Sequence, residues 1–292
     1  MEVYVGVDLG GTKTMIASAD EKGEISKKVE FATPLNFEQG LKLIKDGIKE
    51  VAGKEKILGI GCSAGGPLNY RTGVISPLHQ PEWRNIPLKE IIEKEFGCKF
   101  YVDVDTNITA LGEMVFGEGK NYSNFIYITI STGFGAGIVI DKKIYRGLEE
   151  GHPELGHQEV KWGIDHVKDD VVCKCGAKNC LESLVSGSAI KRLYGKPAED
   201  LSQKEWEEVG ENLGRGLRNI IIMFAPEAIL LGGGVSIKAG EKVLKPAVDY
   251  VRKNVKIVSK LPIIKNTSLG YEASLMGSVA AAIKVAKGEL DG

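Results

Sequence analysis

Apolar and polar positions alternate in blocks that change period along the chain. Val3–Val7 is an apolar, β-rich run that ends at Asp8, and Met15–Ala19 is a second. Between them lie Gly10, Gly11, Thr12, Lys13 and Thr14, so the segment predicts strand, tight glycine turn, strand. Gly23 marks another turn, and Ile25–Phe31 predicts a third strand of the same meander. The period then lengthens: Phe37, Leu41, Ile44, Ile48 and Val51 recur at helical spacing across Asn36–Ala52. Ile57–Cys62 predicts a strand leading into Ser63-Ala64-Gly65-Gly66-Pro67. That loop falls at a strand's carboxyl end, where open α/β sheets place ligands. Residues 68–87 carry Pro77, Pro81 and Pro87 and read as loop with a short hairpin. Leu88–Phe96 predicts a helix and Phe100–Val104 a strand ending at Asp105-Thr106-Asn107. Ile108–Val115 then reads as a helix that Thr106 or Asn107 could cap.

After Gly117-Glu118-Gly119 the opening theme returns. Phe125–Ile130 is β-rich, Ser131-Thr132-Gly133-Phe134-Gly135-Ala136-Gly137 reads as a turn, and Ile138–Ile140 is β-rich again. Such a repeat predicts two similar domains. Helices follow over Gly187–Tyr194, Gln203–Phe224 and Gly240–Val255, with a strand at Ala228–Leu231 ending in Gly232-Gly233-Gly234. A last helix, Glu272–Ala286, is rich in Gly277, Ser278, Ala280, Ala281 and Ala282, which permits close packing.

Composition narrows the classes. A chain of 292 residues with 43% hydrophobic and 26% charged residues suits a globular α/β protein of two domains. Thirty-eight basic residues nearly balance 39 acidic ones, so no overall basic field draws the surface to nucleic acid or anionic lipid. No membrane span and no secretory leader are visible, so a cytoplasmic protein is expected. Three of the five cysteines, Cys173, Cys175 and Cys180, fall within eight residues, which points to a metal rather than to disulfides.

The chemistry reads from these loops. Glycines let backbone N–H groups converge on an anion, and Thr12, Lys13 and Thr14 add donors. Asp8 would repel phosphate, and makes sense beside it if it holds hydrated Mg²⁺. Gly133-x-Gly135-x-Gly137 is not a dinucleotide fingerprint, because β-branched Ile138-Val139-Ile140 continues as strand where a helix should open. Asp105 and Asp103 are both candidate general bases, and strand alternation places them on one side. Three thiolates and one imidazole would complete a tetrahedral structural Zn²⁺ site. His157, sixteen residues before Cys173, is the first choice for the fourth ligand and His166 the rival.

Six motifs in fixed order carry a family resemblance: Asp8-Leu9-Gly10-Gly11-Thr12-Lys13, Asp105-Thr106-Asn107, Ser131-Thr132-Gly133, Glu154-Leu155-Gly156-His157, the Cys173/Cys175/Cys180 cluster with Glu182, and Gly232-Gly233-Gly234. Together they resemble the ROK family of bacterial sugar kinases and sugar-responsive repressors, within the actin and hexokinase ATPase superfamily, over nearly the whole chain. The resemblance implies two ribonuclease-H-like domains with an active-site cleft between them. It bounds them at 1–117 plus 276–292 and at 118–275, with a zinc-binding loop over 152–182. It implies an ATP-dependent kinase for a hexose hydroxyl, with cleft closure about the 117–120 and 270s connections excluding water. Asp8, Gly10, Gly11, Thr12, Lys13, Thr132, Gly133, Gly233 and Gly234 would face ATP. Gly65, His79, Asn107, Glu154, His157 and Glu182 would face the sugar. His157, Cys173, Cys175 and Cys180 would hold zinc. Asp105 becomes the base, because the family pattern is Asn-Asp-x-Asn and Asn107 follows it by two. Val104 and His79 stand where the family usually has sugar-contacting Asn, so the identity of the sugar stays open, as does polyphosphate in place of ATP. Relatives are commonly dimers or tetramers, so a homodimer or homotetramer is expected. The alternative is a sugar-sensing regulator without kinase activity; such proteins carry a DNA-binding segment ahead of the first phosphate loop, and the loop here begins at Asp8.

Overall fold

The computed structural model describes residues 2–147 and 152–290. Contacts divide the chain into two units: Met1–Lys120, Arg146–His152 and Glu272–Gly292 in the first, Asn121–Tyr145 and Pro153–Tyr271 in the second. The crossings thus fall at Lys120 and Tyr271 rather than at 117 and 275, and the segment from Arg146 rejoins the first unit, which no composition shift announces.

In the first unit, β1 (Glu2–Leu9), β2 (Lys13–Ala19) and β3 (Ile25–Ala32) form an antiparallel meander. Helix α1 (Phe37–Ala52) starts where Asn36 accepts from the Gln39 N–H at 3.0 Å. Strand β4 (Lys56–Ala64) pairs parallel with β1. Residues 68–87 form three very short strands, β5 (Leu68–Asn69), β6 (Val74–Ile75) and β7 (Ile86–Pro87), around irregular chain. Helix α2 (Leu88–Phe96), strand β8 (Lys99–Val104) and helix α3 (Asp105–Val115) follow, with β8 parallel to β4. The sheet order is β3-β2-β1-β4-β8. Alternation in β1 buries both of its faces. Val5, Val7 and Leu9 join Ile16, Ile48, Ile60, Trp83 and Phe100 on one side. Tyr4 joins the C-terminal helix on the other.

The second unit repeats this plan. It contains β9 (Phe125–Ile130), β10 (Phe134–Ile140), β11 (Lys143–Tyr145), α4 (Glu182–Val185), α5 (Gly187–Tyr194), α6 (Gln203–Phe224), β12 (Ala228–Gly232), α7 (Gly233–Ala239), α8 (Glu241–Asn254) and β13 (Ile263–Asn266). Its sheet order, β11-β10-β9-β12-β13, has the same pattern of antiparallel and parallel neighbours as the first. Two expectations are corrected here. Strand β10 begins at Phe134, so the turn is shorter than the glycine run. The expected helix 240–255 is preceded by α7, which Gly233 and Gly234 open.

The last helix, α9 (Ala273–Ala286), returns to the first unit and lies on β1 and β4. It fits because the facing strand residues lack side chains. A Cβ on Gly6 would sit 2.8 Å from the Val279 nitrogen, and one on Gly61 would collide with the Ser278 carbonyl. Among the described residues, no helix is long and apolar enough to cross a membrane.

Candidate active site

The β1–β2 turn is held from beneath by neutral donors. Thr33 Oγ1 donates to the Gly10 carbonyl at 2.8 Å, and the buried Gln80 adds its Nε2 at 3.2 Å. The Thr33 N–H bonds the Thr12 carbonyl at 3.0 Å. Gly11 and Thr12 are exposed. A Cβ on Gly11 would sit 3.0 Å from the Cβ of His79, so the exposed His79 lies directly against this turn. Lys13 leans away from the turn, with Nζ 3.1 Å from Glu30. Asp8 lies at the end of β1, where the Ser274 hydroxyl donates to its Oδ1 at 2.7 Å and stands 2.8 Å from Ser63 Oγ. Burial raises the Asp8 pKa, against the opposing effect of Ser274, Ser63 and Lys13. A carboxylate beside two hydroxyls is an all-oxygen set that suits Mg²⁺ and its waters.

Asp103 and Asp105 separate in the structure. Alternation ends at Val104, because Asp105 already belongs to α3. Neither Thr106 nor Asn107 caps that helix; the capping position is Val104, which makes no side-chain bond there. Asp105 is exposed, with its Oδ1 accepting from the Thr106 N–H at 2.8 Å. Asp103 is buried and pairs with Arg146 at 2.6 Å. Asn107, expected to face sugar, is buried and donates to Asp103 Oδ1 at 3.2 Å. Gly65 sits in the loop after β4, half-buried.

In the second unit, the Gly187 N–H bonds the Ser131 carbonyl at 2.7 Å, and Ser188 bonds the Thr132 carbonyl through both its N–H and its hydroxyl. The Phe134 N–H donates to Glu182 Oε2 at 2.9 Å, and a Cβ on Gly133 would stand 3.0 Å from the same oxygen. Glu182 therefore holds the β9–β10 turn, a role the sequence reading did not assign. Beside this turn is a cavity of about 710 Å³ lined by Thr132, Ser188, Lys191, Trp206, Gly234 and Lys238, among others. A Cβ on Gly234 would meet nothing within 4 Å, so it opens onto free space, whereas one on Gly233 would strike the Ile130 carbonyl. The volume suits a nucleoside-sized ligand. Lys191, Lys238 and Trp206 were missed in the sequence, because helical spacing gives no sign of which face borders a cavity.

The cysteines gather as expected. Ligand atoms of His157, Cys173, Cys175 and Cys180 all lie within 4.8 Å of one another, with Cys173 Sγ 3.6 Å from His157 Nδ1 and Cys175 Sγ 3.6 Å from Cys180 Sγ. Gly176, at φ +93°, makes the turn that bonds its N–H to the Cys173 carbonyl at 3.0 Å. His166 is engaged elsewhere, with Nε2 2.7 Å from the Leu193 carbonyl. Burial pushes the Cys180 thiol up to about 12, and the Ala177 backbone and Cys173 lower that of Cys175. Three sulfurs and one imidazole nitrogen at this spacing fit a tetrahedral divalent ion, which stabilises the thiolate forms. Glu154 is exposed one turn ahead, where its carbonyl accepts the His157 N–H at 3.0 Å.

Paired sheets of matching order, each opened by a glycine-turn hairpin, define the actin-like ATPase fold. The chain belongs to the ROK family, whose profile matches residues 4–285. It is 30% identical over 289 residues to a glucokinase of Streptomyces coelicolor, covering 88% of each chain. A xylose repressor of Caldicellulosiruptor bescii is 28% identical over 96% of this chain and 77% of its own. The ROK family glucokinase of Streptomyces griseus, solved in complex with glucose and AMPPNP, superposes with a TM-score of 0.78 at 28% identity, covering 96% of this chain and 99% of that one.

Proposed function

We propose that the protein is an ATP-dependent sugar kinase that phosphorylates a hexose hydroxyl with Asp105 as general base. The observation that carries this reading is the division of labour between two carboxylates. Asp103 is buried and ion-paired, while Asp105 is exposed at the first turn of α3. Relatives named as glucokinases, and the nucleotide analogue and glucose held by one of them, support the class of reaction.

Phosphoryl transfer to an alcohol asks little covalent chemistry of the protein; it needs positioning, charge stabilisation and a proton acceptor. The ATP phosphates would contact the Gly10–Thr12 and Ser131–Gly133 turns, whose glycines leave the backbone accessible. The adenosine goes to the cavity at Gly234 and Trp206. Asp8, with Ser63 and Ser274, would hold Mg²⁺, which supplies neutralisation of phosphate charge when bound. Gly65, His79 and Glu154 are assigned to the sugar. His157 and the three cysteines would hold a structural Zn²⁺ that fixes the segment carrying Glu154 and Glu182. Asp105 takes the hydroxyl proton as the acceptor oxygen attacks the γ-phosphorus, whose bond to the β,γ-bridging oxygen breaks to release ADP.

The test is Asp105→Asn, assayed by ADP release over a panel of hexoses. We expect turnover to fall by about 10²- to 10⁴-fold with sugar affinity retained. Near-normal turnover would sink Asp105 as base. The likeness to a xylose repressor favours a second reading, a sugar-responsive regulator. Absence of sugar-dependent ADP release from the wild type, with sugar binding intact, would favour it.

A further inference from the structure

Asp103 has no task in the reaction above, yet it is 3% exposed and meets four donors. Its two oxygens face different ways. Oδ1 accepts from the Val104 N–H at 2.8 Å and from Asn107 Nδ2 at 3.2 Å, residues that bracket Asp105. Oδ2 accepts from Arg146 Nη1 at 2.6 Å and from the Tyr101 hydroxyl at 3.1 Å. Arg146 Nη2 also donates to the Tyr101 oxygen at 2.5 Å, and its guanidinium lies 3.7 Å above the Tyr70 ring.

Arg146 comes from the segment just after β11, far from β8 in sequence. Burial works against its charge, but Asp103 and Tyr101 outweigh this and hold its pKa above the ordinary value. The same surroundings, burial first and Asp103 second, push the Tyr101 hydroxyl well above its own range, so it stays a neutral bridge. The cluster is compensated only as a whole: a buried carboxylate accepting four bonds needs its cation, and the planar guanidinium reaches Asp103 and Tyr101 together. What it secures is specific. Val104 gives α3 no side-chain cap, and Asp103 instead ties down the backbone just before Asp105 and the side chain two residues after it.

We propose that Arg146, acting through Asp103, is a positioning residue for Asp105: the Arg146–Asp103–Tyr101 clamp fixes the strand-to-helix turn that aims the base. This rests on the reading of Asp105 as the base. A base held loosely in the turn still leaves both substrates bound, so the clamp acts on turnover rather than on affinity.

The experiment compares Arg146→Met, the milder Tyr101→Phe, Asp105→Asn and the Arg146→Met/Asp105→Asn pair. Rates are scaled to the folded fraction by circular dichroism, and the acceptor is the best sugar found in the hexose panel. The expected result for Arg146→Met is a fall in kcat of about tenfold or more, with KM for ATP and for sugar within about twofold of wild type. Tyr101→Phe shows the same pattern at about threefold, and decides the matter if Arg146→Met does not fold. In the Asp105→Asn background, Arg146→Met costs nothing further, because both act through one group. Unchanged kcat in the folded variants, KM values that rise in step with the loss, or the full loss repeated on top of Asp105→Asn would overturn the clamp. Normal turnover in Arg146→Met beside an inactive Asp105→Asn defeats the clamp alone. Normal turnover in Asp105→Asn defeats the base and the clamp with it.

Discussion

The two turns that open the two sheets share a topology and differ in what holds them. In the first unit, the Gly10 carbonyl is gripped by the hydroxyl of Thr33 and the amide of Gln80, both neutral and both from the same unit's body. In the second, the Phe134 amide is gripped by a carboxylate, Glu182, which follows the cysteine Cys180 by two residues. The first turn draws its shape from ordinary packing. The second draws it from a segment that also carries two of the four side chains able to hold a metal ion, Cys175 and Cys180, close before Glu182. The difference teaches that a repeated fold can hold matching turns by different means, one by neutral donors of the core and one by a carboxylate beside a candidate metal site.

The largest effect expected is from removing the ion. Stripping with a chelator, or Cys180→Ser, should abolish most turnover and lower the melting temperature, since structural zinc contributes folding free energy directly. Hydrogen exchange should quicken at 131–134 and stay unchanged at 9–13; equal quickening at both turns would break the comparison. Glu182→Ala comes next. Losing a charge-assisted bond of about 1.5–3 kcal/mol should cost roughly tenfold or more in kcat/KM for ATP. A loss confined to the sugar's KM would instead return Glu182 to the sugar. The smallest effect is that of Gln80→Leu. One neutral bond of about 1 kcal/mol should raise KM for ATP a few-fold and leave 131–134 untouched in exchange.

Much of this was legible in the sequence because period and punctuation were strong. Leu88–Phe96, Phe125–Ile130, Gly187–Tyr194 and Gln203–Phe224 begin and end as their patterns predict. The metal cluster was legible too, since thiols that close together have few other uses. The errors lie where residue type is neutral between states. Asp105-Thr106-Asn107 reads as a loop whose Thr106 or Asn107 could cap a helix, yet the helix already starts at Asp105 and its N-cap, Val104, makes no side-chain bond. Gly233-Gly234 reads as a turn, yet it opens a helix. Beyond these, nothing in the sequence signals that Glu182 also accepts from the Phe134 amide or that Asn107 also donates to Asp103. Long-range partners such as Arg146 for Asp103, and Ser274 for Asp8, leave no local trace at all.

That last pair has a consequence for how the first unit closes. Asp8 and Ser274 lie 266 residues apart in sequence, and Ser274 is carried by the helix that fits over Gly6 and Gly61. Without α9 the first unit would lack the cover on β1 and β4 and the Ser274 hydroxyl on Asp8. The second unit is contiguous from Pro153 to Tyr271 after its opening hairpin. Closing the first unit therefore asks for a contact that spans the whole of the second in sequence, a loop-closure cost that the second unit does not carry.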